Sequence, residues 1–202
     1  MKVKPWAAAL AAAVLITGVW MAGVSREADG LSDKLIRLHV VANSDSGDDQ
    51  ALKLRVRDAV LAELTPLLEG ASGRAEAQAR VEADLDGVTA AAERTAAAAG
   101  RDYRVRVSLK RELFPTTEYS TFSLPAGTYT SLRVVIGEGK GHNWWCVVFP
   151  PVCTAAALDE ETASAVGLTP EETKLMTEEN GGYVVRFRAM ELIGRLKAFF
   201  GK

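Results

Sequence analysis

Apolar and polar residues alternate with two different periods along this chain, and the points where the period changes mark its elements. Leu35 to Ala42 (LIRLHVVA) sets Ile36, Leu38 and Val40 on one side and Arg37, His39 and Val41 on the other, the period of a strand. Asn43 to Gly47 turns the chain. Ser46 with Asp49 three residues later is an N-cap signature for a helix running to Leu64 or Leu68. Along that helix Leu52, Val56, Val60 and Leu64 form one apolar row, and Leu54, Leu61 and Leu68 a second row about 160° away, which predicts a helix covered on both sides.

Gly70 to Gly73 breaks the pattern, and Arg74 to Ala99 reads as a second, alanine-rich helix with Val81, Leu85 and Val88 at helical spacing. Tyr103 to Lys110 alternates sharply, with Tyr103, Val105, Val107 and Leu109 inward and Arg104, Arg106, Ser108 and Lys110 outward, a strand with one wet face. Pro115 and Pro125 punctuate an irregular or edge segment. Thr128 to Ile136 and Trp144 to Phe149 read as strands, and the glycine-rich loop between them predicts a hairpin. Short helical pieces follow at 159–166 and 170–178, the latter capped by Thr169. A strand over Tyr183 to Arg188 and an amphipathic helix from Ala189 to Phe200 close the chain. The expected fold is α+β, a mostly antiparallel sheet packed with helices in one domain over 35–202.

The amino terminus has another character. Lys2 and Lys4 precede an apolar run from Trp6 to Val24, just short of the roughly 20 residues that cross a bilayer core. Residues 1–25 therefore read as a signal peptide or an uncleaved N-terminal membrane anchor, with 26–34 as a linker. The positive flank stays inside and the rest is exported. A net charge of -2 and a pI near 5.8 argue against nucleic acid, which needs a basic surface. In an exported chain, Cys146 and Cys153 are expected to form an intramolecular disulfide, with two buried thiols as the alternative.

Several arrangements invite a chemical reading and fail it. Gly137 to Gly141 (GEGKG) lacks the following Lys-Ser/Thr of a phosphate loop and joins strand to strand, so a bulged turn is the better account. His39, His142, Cys146 and Cys153 match no recognised zinc spacing. The acidic turn from Asn43 to Asp49 lacks the closing Glu of a calcium loop. Glu112, Glu118 and Glu138 are the acids near the aromatic region, the candidates for an extracytoplasmic cell-wall or peptide hydrolase. On a regular strand Trp144 and Trp145 face opposite ways, so either one of them is left for a contact surface or helices on both sides bury both rings.

Two long segments, IRLHVVANSDSGDDQALKLRVRDAVL (36–61) and FPTTEYSTFSLPAGTYTSLRVVIGEGKGHNWWCVVFPPVC (114–153), together with the lysine-flanked leader, closely resemble the stage II sporulation protein R family of endospore-forming bacteria. The resemblance implies a secreted signalling protein and no enzyme. Such a protein is exported from the forespore into the intermembrane space of the septum. There it activates a membrane-embedded aspartic protease of the mother cell, which processes the precursor of sigma factor E. On that reading the chain needs no cofactor, metal or small-molecule substrate. It touches the membrane through its N-terminal segment and docks through Asn143, Trp144, Trp145 and His142, with Asn43 and Asp45 beside them.

Overall fold

The computed structural model describes residues 30–119, 122–151, 164 and 168–177. The leader, Cys153, the strand expected over 183–188 and the closing helix lie outside the described residues, as does most of the helical piece at 159–166. Strand β1 (Ile36–Val41) is followed by helices α1 (Gly47–Leu68), α2 (Arg74–Ala83) and α3 (Leu85–Ala98). Strands β2 (Val105–Phe114), β3 (Thr117–Glu118), β4 (Ser123–Leu124), β5 (Gly127–Ile136) and β6 (Asn143–Phe149) come next, and then helix α4 (Pro170–Thr177).

The main sheet has the order β2-β5-β1-β6, and β3 and β4 form a separate two-stranded ribbon. The β2/β5 and β1/β6 pairs are antiparallel and β1/β5 is parallel, so the fold is α+β with a mostly antiparallel sheet. The expected hairpin between β5 and β6 does not form, because β1 lies between them. The reason is burial: all six residues of β1 are buried, so both of its faces and both of its edges need partners. The loop from Gly137 to His142 must therefore cross two strand spacings, about 10 Å, which a two-residue turn could not span.

One face of the sheet carries Ile36, Leu38, Val40, Leu132, Val134, Ile136, Cys146 and Val148, clustered with Leu52, Val56, Val60 and Leu64 of α1 and Val88, Ala92 and Ala96 of α3. Only the first predicted row of α1 is fully buried. The second row is mixed: Leu54 is 38% exposed, Leu61 packs at the margin of the core and Leu68 is buried in it. Ser46 caps α1 as expected, its hydroxyl accepting from the Asp49 amide.

The single helix predicted over 74–99 is two, broken at Asp84, whose backbone leaves the helical region (φ -120, ψ 23) and whose amide turns back to Val81. Asp is a poor helix-interior residue that favours such breaks. β2 runs four residues beyond the predicted Lys110. At α4, Thr169 and Glu172 form a reciprocal capping box: the Thr169 hydroxyl accepts from the Glu172 amide, and the Glu172 carboxylate accepts from the Thr169 amide.

The opposite face of the sheet is covered at one end by a second core of Leu31, Leu35, Phe114, Phe122, Leu124, Tyr129, Val147, Leu168 and Met176. Leu31, inside the stretch read as a linker, is thus packed into this core. Among the described residues no helix is long and apolar enough to cross a membrane.

Candidate functional site

At the end of the sheet where β1 finishes, two loops distant in sequence are laced together. The carbonyls of Ala42 and Asn43 accept from the amides of Gly141 (3.0 Å) and Lys140 (3.1 Å), and the Asn43 side-chain oxygen accepts from the Glu138 amide (3.0 Å). Asp45 accepts from both the backbone amide and the ring Nδ1 of His142. These bonds hold the Asp45 carboxyl below its ordinary range.

Three glycines make the approach possible, the first being Gly137, which at φ +57 lies against the Asn43 side chain with no room for a Cβ. Gly139 sits at φ +66, with Val135 2.5 Å from where a Cβ would stand, and Gly141 lies against the Ser44 carbonyl with no room for one.

Helix α1 braces this lacing from below. Asp49 is buried and accepts from the Ser44 hydroxyl (2.5 Å) and the Asn43 amide nitrogen (2.8 Å), which lowers its pKa in that order of importance. Lys53, also buried, donates to Gln50 Oε1 (2.6 Å) and to the His142 carbonyl (3.1 Å). Burial lowers its pKa, and Asp45 works against that shift. The N-cap and first two turns of α1 therefore fix both loops, because positions 46, 49, 50 and 53 fall on one side of a helix.

The two tryptophans part as a regular strand requires. Trp144 turns to the helix side, where the Arg57 guanidinium lies 4.5 Å from its ring centre; its buried Nε1 makes no hydrogen bond among the described residues. Trp145 turns to the other face, with ring centres 6.0 Å from His39 and 6.4 Å from Phe114. Both are half-buried, whereas Asn143 and His142 are exposed.

Behind Trp145 lies a network that sequence reasoning missed. His39 Nδ1 is 3.0 Å from Glu112 Oε2 and its Nε2 is 2.9 Å from Asn143 Oδ1. Glu112 also accepts from Arg133 at 2.6 Å. Burial pushes the Glu112 carboxyl up, but the His39 bond and the Arg133 charge prevail and hold it below its ordinary range. An imidazole between two oxygens donates from both nitrogens only as a cation; a neutral ring requires Asn143 to present its amide nitrogen. Either way, His39 fixes the exposed Asn143 to the sheet. The available signal was the polar residues at every second position of a strand otherwise rich in aliphatic side chains.

The structure thus joins Asp45 to His142 and Asn43 to Glu138 and Lys140 of the same loop, sets Asn143 next to His142 and Trp145 against His39, and sends Trp144 to the opposite face. Of the three acids considered for hydrolysis, Glu112 is held by His39 and Arg133, and Glu138 is paired with Lys140 at 2.6 Å. Glu118 lies exposed on the separate ribbon. Among the described residues no group of three His, Cys, Asp or Glu side chains is placed to hold a metal ion.

Residues 32–159, which include every residue of this site, match the family model described as Stage II sporulation protein R. The chain is also similar to a curated protein of Bacillus subtilis (strain 168), "Stage II sporulation protein R". The two are 32% identical over 188 residues, covering 82% of this chain and 83% of that protein. No solved structure matches.

Proposed function

Because the chain belongs to the stage II sporulation protein R family, and is thus a sporulation protein, we propose that it acts as an exported ligand. It switches on a membrane-embedded aspartic protease that processes the sigma factor E precursor. The export signal over residues 1–25 delivers it to the intermembrane space of the septum. The chain itself performs no chemistry there.

The observation that carries this reading is the lacing of Asn43 and Asp45 to the Gly137 to His142 loop. A docking surface made of loops ordinarily loses affinity through the entropy of ordering them on contact. Here the hydrogen bonds that Asn43 and Asp45 accept from the loop, and the one Lys53 donates to it, have already removed that freedom. The surface is made of Asn143, His142 and the exposed part of Trp145, with Asn43 and Asp45 at its margin. Tryptophan buries a large area with few rotors, which suits the centre of such a contact. Activation follows if this surface binds the active arrangement of the protease more tightly than the resting one.

The test is reconstitution in a non-sporulating host expressing this chain, the protease and the sigma precursor, with precursor cleavage followed by immunoblot. Cleavage should depend on this chain and disappear when its leader is deleted. Trp145→Ala should reduce it at least about ten-fold, the loss expected of a central aromatic anchor. Cleavage that persists undiminished in a correctly folded Trp145→Ala variant would refute the surface. Turnover of a peptide or wall substrate by the purified chain alone would refute the ligand reading.

A further inference from the structure

β2 is the outermost strand of the main sheet, paired to β5 on one side and to no strand on the other among the described residues. It is ten residues long, and an edge of that length turns a row of N–H and C=O groups outward. Arg106, Ser108, Lys110, Arg111 and Leu113 are all exposed, Leu113 by 64%. A strand laid along β2 would cover these side chains, so their exposure marks the edge as open. Nothing in the proposed docking surface uses it, since Asn143 and Trp145 belong to β6 at the far side of the sheet.

The edge is cationic. Between residues 104 and 114 it carries Arg104, Arg106, Lys110 and Arg111 against one acid, Glu112, and that carboxylate is already held by His39 and Arg133. The Arg106 guanidinium donates to a neutral acceptor, the Gly137 carbonyl (3.1 Å). Arg111 meets Asp33 at 3.0 Å, but both side chains stand well out in water, and a pair of that kind gives way readily to another acid.

The two faces of the strand offer different contacts. Arg106, Ser108 and Lys110 stand on the side away from the helices. On the helix side, Leu109 and Arg111 line a cleft of about 410 Å³ with Arg74 and Gln78 of α2 and Thr130 of β5. Val107 and Leu109 pack against the main core yet are only half-buried, so apolar surface remains at the edge.

We infer that the outer edge of β2 is a strand-addition site for an extended acidic peptide segment of a partner protein. Backbone pairing supplies affinity and alternate side chains supply selectivity. Carboxylates on one face of the added strand meet Arg106 and Lys110. On its other face an apolar residue covers Leu109, and an acid reaches Arg74 and Arg111. Charge decides among the occupants. A second copy would set the same four cations against these, and like charges directly opposite destabilise a strand pair. An acidic strand offsets them instead.

The test uses the purified full-length chain in detergent and, as probe, a fluorescein-labelled peptide of four Glu-Val repeats, which when extended sets acids on one face and valines on the other. Anisotropy should saturate, and affinity should fall as sodium chloride rises. The outward amides of β2 should exchange with deuterium more slowly in the complex. Arg106→Glu with Lys110→Glu, both at exposed positions, should weaken binding about ten-fold, because the reversal turns two weak attractions into repulsions. A fully N-methylated peptide keeps the charges without the amide hydrogens and should not bind. Equal binding of that peptide, or unchanged exchange at β2, would leave charge attraction alone and overturn strand addition. Outward β2 amides already protected in the free chain would place a segment of the chain itself on the edge, and would overturn the proposal too. So would a dimer held through β2, or no saturable binding. With no protease present, the result is separate from that for the Trp145 surface.

Discussion

Asp49 is the residue whose loss should do the most damage to the docking end of the molecule. It is buried at the first turn of α1 and accepts from Ser44 Oγ at 2.5 Å and Asn43 Nδ2 at 2.8 Å. Asn43 in turn accepts the Glu138 amide, so one carboxylate orders both loops. Asp49→Ala leaves two donors without their charged acceptor, and hydrogen bonds to charged groups contribute about 1.5–3 kcal/mol each. The two share one anion and do not add fully, so a loss of about 3 kcal/mol is expected. For a domain of this size that corresponds to a fall in melting temperature of roughly 6–12 °C. Asp49→Asn keeps the shape and one acceptor and should lose about half as much.

Because the folded-state pKa of Asp49 is depressed, its contribution is fully present above the ordinary carboxylate range and is lost as pH falls toward the depressed value. The assay is urea denaturation at neutral pH and in acid, read by tryptophan fluorescence. The wild type should lose its margin over Asp49→Asn as the pH is lowered. A loss below about 1 kcal/mol for Asp49→Ala, within the range of an ordinary surface change, would show that the turn is held by something else.

Gly141→Ala should destabilise more than Gly139→Ala. Its Cβ would meet the Ser44 backbone carbonyl, which cannot swing away, whereas that of Gly139 meets the Val135 side chain; comparison of the two melting temperatures decides it. Arg57→Ala removes the guanidinium over Trp144 and should cost about 0.5–1 kcal/mol with a shift in tryptophan emission, and unchanged emission would count against the contact. If Cys146 and Cys153 are bonded, as export to an oxidising space favours, the unreduced protein should resist iodoacetamide, and reduction should cost about 2.5 kcal/mol in the chain-entropy picture. Labelling before reduction would refute the bond.

Much of the local structure was legible because its causes are local. The two-residue period over 36–41, the Ser46 cap with Asp49, the alternation from Tyr103 and the Thr169 cap are each written in a few adjacent residues. The break at Asp84 was not legible, since Val81, Leu85 and Val88 keep helical spacing across it. The Leu54 row of α1 misled in the other direction, because apolar periodicity shows which faces a helix has and not how many are covered. The site was half visible: the aromatic and glycine residues stood out by composition, His39 drew notice only as a metal ligand whose spacing failed, and nothing local marked Arg37 or Lys53 for burial.

The sequence by itself determined where most of the described strands and helices lie, that Ser46 and Thr169 cap two of the helices, and that Trp144 and Trp145 face apart. Only the tertiary structure decided that β1 separates β5 from β6, that Asp45 meets His142, and that Arg37 is buried. The physical reason is range. Periodicity and capping act over a few residues, whereas strand order and the burial of a charge depend on which of several edges and faces minimises exposed apolar surface for the whole chain at once.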